Sequence, residues 1–494
     1  MHTDHLSTRR HFLASGAFGV GSIALAWLLD QDGLRAAPAR PELEPKVYDL
    51  TPKPPHYPPR ARAMISLWMQ GGPSHIDLFD PKPEMAKWDG KKYPGEVNYD
   101  MANQASDKVL APLWKFHKHG QCGMELSELL PHLGEVVDDI TLIRSMYTDV
   151  NNHGSSIRAL QTGNMRGGRA ALGSWIPYAL GSESQNLPAF VALTDTGPIP
   201  VQGVENWSNG FLPPIYQGTV IRPEQPRIIN LEPFPHLRGE VQDSALGFLE
   251  RMNRRHLEQR PGNHDLQARI SSYELAARMQ IAATEVLDFS DESEATRRMY
   301  GLDDPATRQF GANCLLARRL IERGVRFVQI YTRSQYWDHH NTIISQLPAC
   351  CQRTDKPSAA LVKDLKQRGL LDSTIVHWGG EMGRLPVVQT GGNGSRQRIG
   401  RDHNTHGFSM WLAGGGFKPG QVYGATDEFG HRAVVDRVSH HNYHATLLHL
   451  LGLDHTRLTF RAAGREQSLT DGQPARIIGE VLEHPPAASE ATGS

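Results

Sequence analysis

The chain has 494 residues, with 52 Lys+Arg against 53 Asp+Glu and a formal net charge of −1, so no overall field recruits nucleic acid or an anionic membrane surface. That length exceeds an ordinary domain, yet α/β folds of this size often close around one sheet with long surface insertions, and one large domain is expected. Four cysteines, Cys122, Cys314, Cys350 and Cys351, are too few and too irregularly spaced for a disulfide framework or a zinc ribbon and leave room for one bridge at most.

At the N-terminus, Ser7 to Leu13 read S-T-R-R-H-F-L. A moderately apolar stretch follows from Ala14 to Leu29, then the small-residue run Arg35-Ala36-Ala37-Pro38-Ala39. This is the pattern of a twin-arginine signal over residues 1–39, cleaved near Ala37 or Ala39. The apolar run is short for a membrane span and is diluted by Ser15, Gly16, Gly19, Gly21 and Ser22. A soluble periplasmic or extracellular protein, exported folded and holding no stable membrane span, is expected. Residues 40–59 are proline-dense without apolar periodicity and read as an extended linker. The domain is expected over residues 60–484, with a disordered tail at 485–494.

Within the domain, short apolar runs alternate with helical patterns, as in a mostly parallel, buried central sheet flanked by helices. The strand candidates are Ala63 to Met69, Ile140 to Ile143, Phe190 to Leu193, Val325 to Tyr331, Ser373 to Trp378 and Phe408 to Leu412. Helical candidates are Ser272 to Leu287, Gln309 to Arg323 and Ala359 to Arg368, the last two ending at Gly324 and Gly369, which suit a helix C-cap. The stretch from Pro198 to His264 has many Pro, Asn and Gln and little periodicity, and reads as an insertion that covers the site.

The chemistry gathers at strand ends, where ligands collect in open α/β sheets. After the first strand come Gln70, Gly71, Gly72, Pro73, Ser74, His75, Ile76 and Asp77. After the strand ending at Tyr331 come Asp338 and His340, inside Trp337-Asp338-His339-His340-Asn341. After Trp378 come Glu381 and Arg384, and Gly400 to Gly407 supplies Arg401, His403 and His406. Any one of the chain's 24 histidines has an ordinary structural explanation. Asp, Glu and His without Cys at several strand ends together fit a divalent metal, Zn before Mn, Fe or Ca, in a partly open site. Arg384 or Arg401 would then grip a tetrahedral oxyanion, or else tether loops through a salt bridge.

These pieces resemble the alkaline phosphatase and sulfatase superfamily, and more closely its sulfatase-like, twin-arginine-exported branch of unknown function. The resemblance runs from about Met64 to Asp454. It is carried by G-G-P-S-H-I-D-L-F-D-P-K-P at Gly71 to Pro83, W-D-H-H at Trp337, G-G-E-M-G-R at Gly379, G-R-D-H at Gly400, L-A-G-G-G-F-K-P-G at Leu412 to Gly420, and Y-G-A-T-D at Tyr423 to Asp427. It implies an alkaline-phosphatase-like fold with long loop insertions, and metal ligation by Asp338, His340, Glu381 and His403 or His406. Two departures stand out. H-G-S-S-I-R-A-L-Q-T-G, from His153 to Gly163, puts His153 where sulfatases carry their nucleophile, and Met382 and Gln70 replace a metal-binding His and Asp.

His153 is therefore open to three roles: metal ligand, phosphoryl acceptor or general base. Ser155 and Ser156 stand in reserve as nucleophiles, and Asn151-Asn152-His153-Gly154 also suits a helix cap. Two functions follow: a metal-dependent hydrolase of phosphate or sulfate esters, acting on a small anionic ester or a sulfated or phosphorylated polymer, or a non-catalytic binding or scaffold protein that keeps the fold.

Overall fold

A computed structural model describes residues 48–100, 106–148, 150–229, 231, 236, 238–390 and 398–486. The arginine-pair leader, the first residues of the linker and the end of the tail lie outside them. Residues read as linker and described here run along the domain: Lys53 N–H donates to Leu180 O, and His56 and Tyr57 N–H both donate to Gly452 O.

The sheet strands, in chain order, are β1 (Ala63–Trp68), β2 (Ile140–Tyr147), β3 (Phe190–Leu193), β4 (Thr219–Ile221), β5 (Phe327–Tyr331), β6 (Thr374–Gly379), β7 (Phe408–Ala413), β8 (Gln421–Tyr423) and β9 (Val438–Ser439). They form one nine-stranded sheet in the order β8-β2-β7-β6-β1-β5-β3-β4, with β9 also paired to β2. All pairs are parallel except those of β7, which runs antiparallel to β2 and β6. The sheet is mostly parallel, as its near-continuous apolar strands demand, because such strands are covered on both faces.

Two core clusters show that covering. Ala63, Ile65 and Leu67 of β1 face one way, toward α6 (Arg308–Glu322) and α7 (Ile343–Gln367). Met64 and Trp68 face the other way, toward α2 (His153–Thr162), α3 (Leu172–Leu180) and α8 (His440–Leu450). This is the period-two alternation of a strand. Gly324 and Gly369 follow α6 and α7 with φ of +84° and +68°, the left-handed conformation that glycine adopts without cost.

Element bounds depart from the sequence reading where burial outweighs propensity. α7 begins at Ile343 instead of Ala359 and contains Pro348 and Pro357, because Leu347, Cys350 and Cys351 extend its buried face. α5 (His264–Leu287) starts before Ser272, where the Asn263 side chain accepts from Leu266 N–H and caps it. The stretch from Pro198 to His264 is only in part an insertion. It supplies edge strand β4 and buries Trp207, Leu212 and Tyr216, whereas α4 (Glu240–Glu258) buries none of its residues. No helix among the described residues is long and apolar enough to cross a membrane.

A polar layer lies inside the second face. Ser66 Oγ meets His377 Nδ1 at 3.0 Å, and Gln329 Nε2 donates to Gln161 Oε1 at 3.2 Å. Burial pushes the His377 imidazole down to about 3, so the folded protein keeps it neutral while the unfolded chain takes a proton below about 6.5. The unfolded state thus binds more protons as pH falls through that window, and stability drops with it. For His377 alone the loss between pH 7.5 and pH 5 is about 2 kcal/mol. Chemical denaturation at the two pH values should show a smaller loss for His377→Gln than for wild type; equal losses would contradict the assignment.

Candidate metal centre

Three neighbouring parallel strands, β6, β1 and β5, bring their carboxyl ends side by side, so the loops that follow converge. Gly71, after β1, has φ of +117°, and a Cβ there would stand 2.6 Å from Asp338 N and 2.8 Å from Trp337 C. Only glycine lets the β1 loop touch the loop after β5. Beyond β6, Gly383–Arg384 pairs antiparallel with His403–Asn404 and brings His403 to the same place. His153 arrives as the first residue of α2, whose N-cap Asn152 accepts from Ser155 N–H at 2.9 Å. The cap and the site are compatible readings of one segment.

Ligand atoms of His153, Asp338, His340 and His403 all lie within 4.8 Å of one another. Asp338 is the centre of the group. Its Oδ1 lies 2.9 Å from His340 Nε2 and 3.4 Å from His403 Nε2, and its Oδ2 lies 3.3 Å from His153 Nε2. Arg384 Nη2 donates to Oδ1 at 2.6 Å. Burial opposes ionisation of Asp338, but Arg384 and the three imidazoles outweigh it and hold the carboxyl well below the usual range.

Two of the imidazoles are held by their outer nitrogens. His153 Nδ1 meets Glu381 Oε1 at 2.7 Å, and His340 Nδ1 meets Gln389 Oε1 at 2.7 Å. With a cation bound, an Nδ1–H donated to these acceptors would free each Nε2 lone pair for it, the tautomer that metal-ligating histidines adopt. His153 Nε2 and His403 Nε2 are also buried without any hydrogen-bond partner. Orphaned buried nitrogens are rare, and a cation among three imidazoles and a carboxylate would satisfy them. A donor set of three imidazoles and one carboxylate, without thiolate, is of the kind that holds a divalent transition-metal ion. With no cation, burial works against a charged His153, but the Asp338 and Glu381 carboxylates raise its pKa to about 9. Burial leads in lowering that of His403, helped by Arg384.

Other expected site residues sit elsewhere. Glu381 is fully buried and accepts from Gly71 N–H at 2.9 Å as well as meeting His153 Nδ1; it holds the His153 ring and lies outside the four-residue group. His406 is also outside that group, its ring 5.7 Å from that of His431. Arg384 is no free anion grip, because its guanidinium donates to the carbonyls of Gly71, Gly72, Trp337 and Arg401. Arg401 is equally committed, to Asp77 at 2.8 and 3.2 Å and to Leu110 and Ala111 carbonyls. Both are loop tethers.

The polar side chains of the β1 loop also have protein partners. Gln70 Oε1 accepts from Val201 N–H at 2.8 Å, Ser74 donates to Asp77 at 2.5 Å, and His75 Nε2 meets Gly430 O at 2.7 Å. Ser156 donates to Val150 O at 2.5 Å. Sequence reasoning missed Gln389 and assigned no role to Asp402. Gln389 stands in no motif, and Asp402 is hidden inside G-R-D-H.

Fold and site together define an α/β protein with a histidine and aspartate cluster at the carboxyl edge of its sheet. The chain belongs to the family described as "Protein of unknown function (DUF1501)", whose model matches residues 61–482. No curated protein matches it. Similar solved structures include the alkaline phosphatase from the Antarctic bacterium TAB5, at 11% identity over 72% of this chain and 92% of that one, TM-score 0.30. The PsFucS1 sulfatase from Pseudoalteromonas sp. is 12% identical over 80% and 68%, TM-score 0.31. The lipoteichoic acid synthase LtaP from Listeria monocytogenes is 9% identical over 82% and 76%, TM-score 0.30. At such TM-scores the site has to be read from its own atoms.

If Arg384 is a tether, Arg384→Met strands a buried carboxylate and several carbonyls and should cost about 3–5 kcal/mol in denaturant-measured stability of the metal-free protein. An anion-gripping arginine would leave that stability unchanged or raise it.

Proposed function

We propose that this protein holds one divalent transition-metal ion, Zn²⁺ first, on His153, His340, His403 and Asp338, and hydrolyses a phosphate or sulfate ester outside the cytoplasm. The observation that carries the reading is the division of labour within His153 and His340, where Nδ1 is held by Glu381 or Gln389 while Nε2 faces Asp338. A bound ion supplies Lewis acidity toward the ester oxygens. The chain's own groups orient: Glu381 and Gln389 fix the rings, and Arg384 keeps Asp338 ionised. The strand-end motifs that resemble alkaline phosphatases and sulfatases support the ester class, and the twin-arginine pattern supports export after folding, with metal inserted beforehand.

A second reading, a metal-holding protein without catalysis, is favoured by one observation. Arg384 and Arg401 are both buried and committed to protein partners, leaving neither for a substrate anion.

Metal analysis of the purified full chain, followed by turnover of p-nitrophenyl phosphate and p-nitrophenyl sulfate, decides between them. The hydrolase reading expects bound metal and a turnover that His340→Ala abolishes together with the metal. Loaded protein inert toward both esters would leave the second reading, and inability to take up any divalent ion would remove both. Gln389→Ala, which alters no ligand, should weaken Zn²⁺ about 10–100-fold; unchanged affinity in a chelator competition would contradict the orienting role.

A further inference from the structure

His403 differs from the other two imidazoles on its outer side. Buried to 2% exposure, it has no hydrogen bond at either ring nitrogen. His153 and His340 each have an acceptor 2.7 Å from Nδ1, whereas His403 Nδ1 lies 3.5 Å from Asp100 Oδ2. A neutral imidazole must carry its proton on one nitrogen or the other, and burying that N–H unpaired costs about 1–3 kcal/mol.

Two carboxylates approach this outer face. Ligand atoms of Asp100, Asp402 and His403 all lie within 4.8 Å of one another. Asp402 fixes the geometry through the backbone: its Oδ1 accepts from His403 N–H at 2.8 Å and its Oδ2 from Asp100 N–H at 2.9 Å. Asp402 is buried, and the Asp100 side chain is 34% exposed. The group therefore has a preformed inner part and a side open to solvent.

We infer that a second divalent cation binds on this face, held by His403 Nδ1, Asp100 and Asp402, so that the His403 ring bridges two cations. The inference rests on the proposed metal centre for the cation at Nε2. The Nδ1–H proton leaves to solvent as the cation's bond to that nitrogen forms, making the ring an imidazolate. Its single negative charge and those of two carboxylates then face the incoming dication. Oxygen-rich ligation with one nitrogen suits Zn²⁺ or Mn²⁺.

Titrating Zn²⁺ into metal-free full-length protein, in competition with a chromophoric chelator, should give two equivalents for wild type and one for Asp100→Ala. Asp100 is a partly exposed side chain whose backbone N–H makes its bond to Asp402, so the variant keeps that link. Loaded with Cu²⁺ instead, wild type should show a magnetically coupled pair with a quenched paramagnetic resonance signal, and Asp100→Ala the full signal of one isolated copper. One equivalent in both proteins would overturn the bridged site while leaving the first centre intact, with Asp100 merely accepting the Nδ1–H. Two equivalents in Asp100→Ala would also overturn it. No uptake by wild type would overturn both centres.

Discussion

The loops that bring His153, His340 and His403 together at the carboxyl edge of the sheet meet at the largely buried carboxylate of Asp338. A lone charge there would be several kcal/mol unfavourable, and Arg384 removes that problem with a bond of 2.6 Å. The same guanidinium takes carbonyls from Gly71 and Gly72 after β1, from Trp337 after β5 and from Arg401. One ion pair thereby pins the loops of two adjacent strands, and the segment leading to His403, to a common point. The imidazoles can converge because the anion they face is already fixed.

That arrangement also explains why two arginines in glycine-flanked loops are poor guides to substrate. Arg384 and Arg401 are both fully buried, and a buried guanidinium must spend its five donors on the protein. Arg401 does so on Asp77 and on carbonyls of the 110–111 segment, locking the short helix after β1 to the chain that crosses it. Neither guanidinium is therefore a marker of where an anion would bind.

Much of this was legible in the sequence. Buried parallel strands announce themselves as continuous apolar runs, and the six expected strands lie in the sheet. Asp338, His340 and His403 were readable because polar clusters at strand ends follow from the topology of such sheets. His153 was noticed from its place in a motif, but its partnership with Glu381 was not, because nothing local joins residues 228 positions apart. His406 and His403 are three residues apart and indistinguishable by type; only the two-residue ladder of His403–Asn404 with Gly383–Arg384 selects His403. Gln389 had no signal at all, since an amide becomes an orienting group only through the ring it meets. The early part of α7 was hidden by its prolines, whose cost the buried face absorbs.

The central claim is a metal held by imidazole Nε2 atoms and one carboxylate. Its most direct test is X-ray absorption of the Zn²⁺-loaded Asp100→Ala protein, in which only the inner centre is expected to fill. The account predicts a first shell of nitrogen and oxygen alone at about 2.0–2.1 Å, with the outer-shell scattering of three imidazole rings. Sulfur in the first shell, or a shell of light atoms without imidazole scattering, would contradict it.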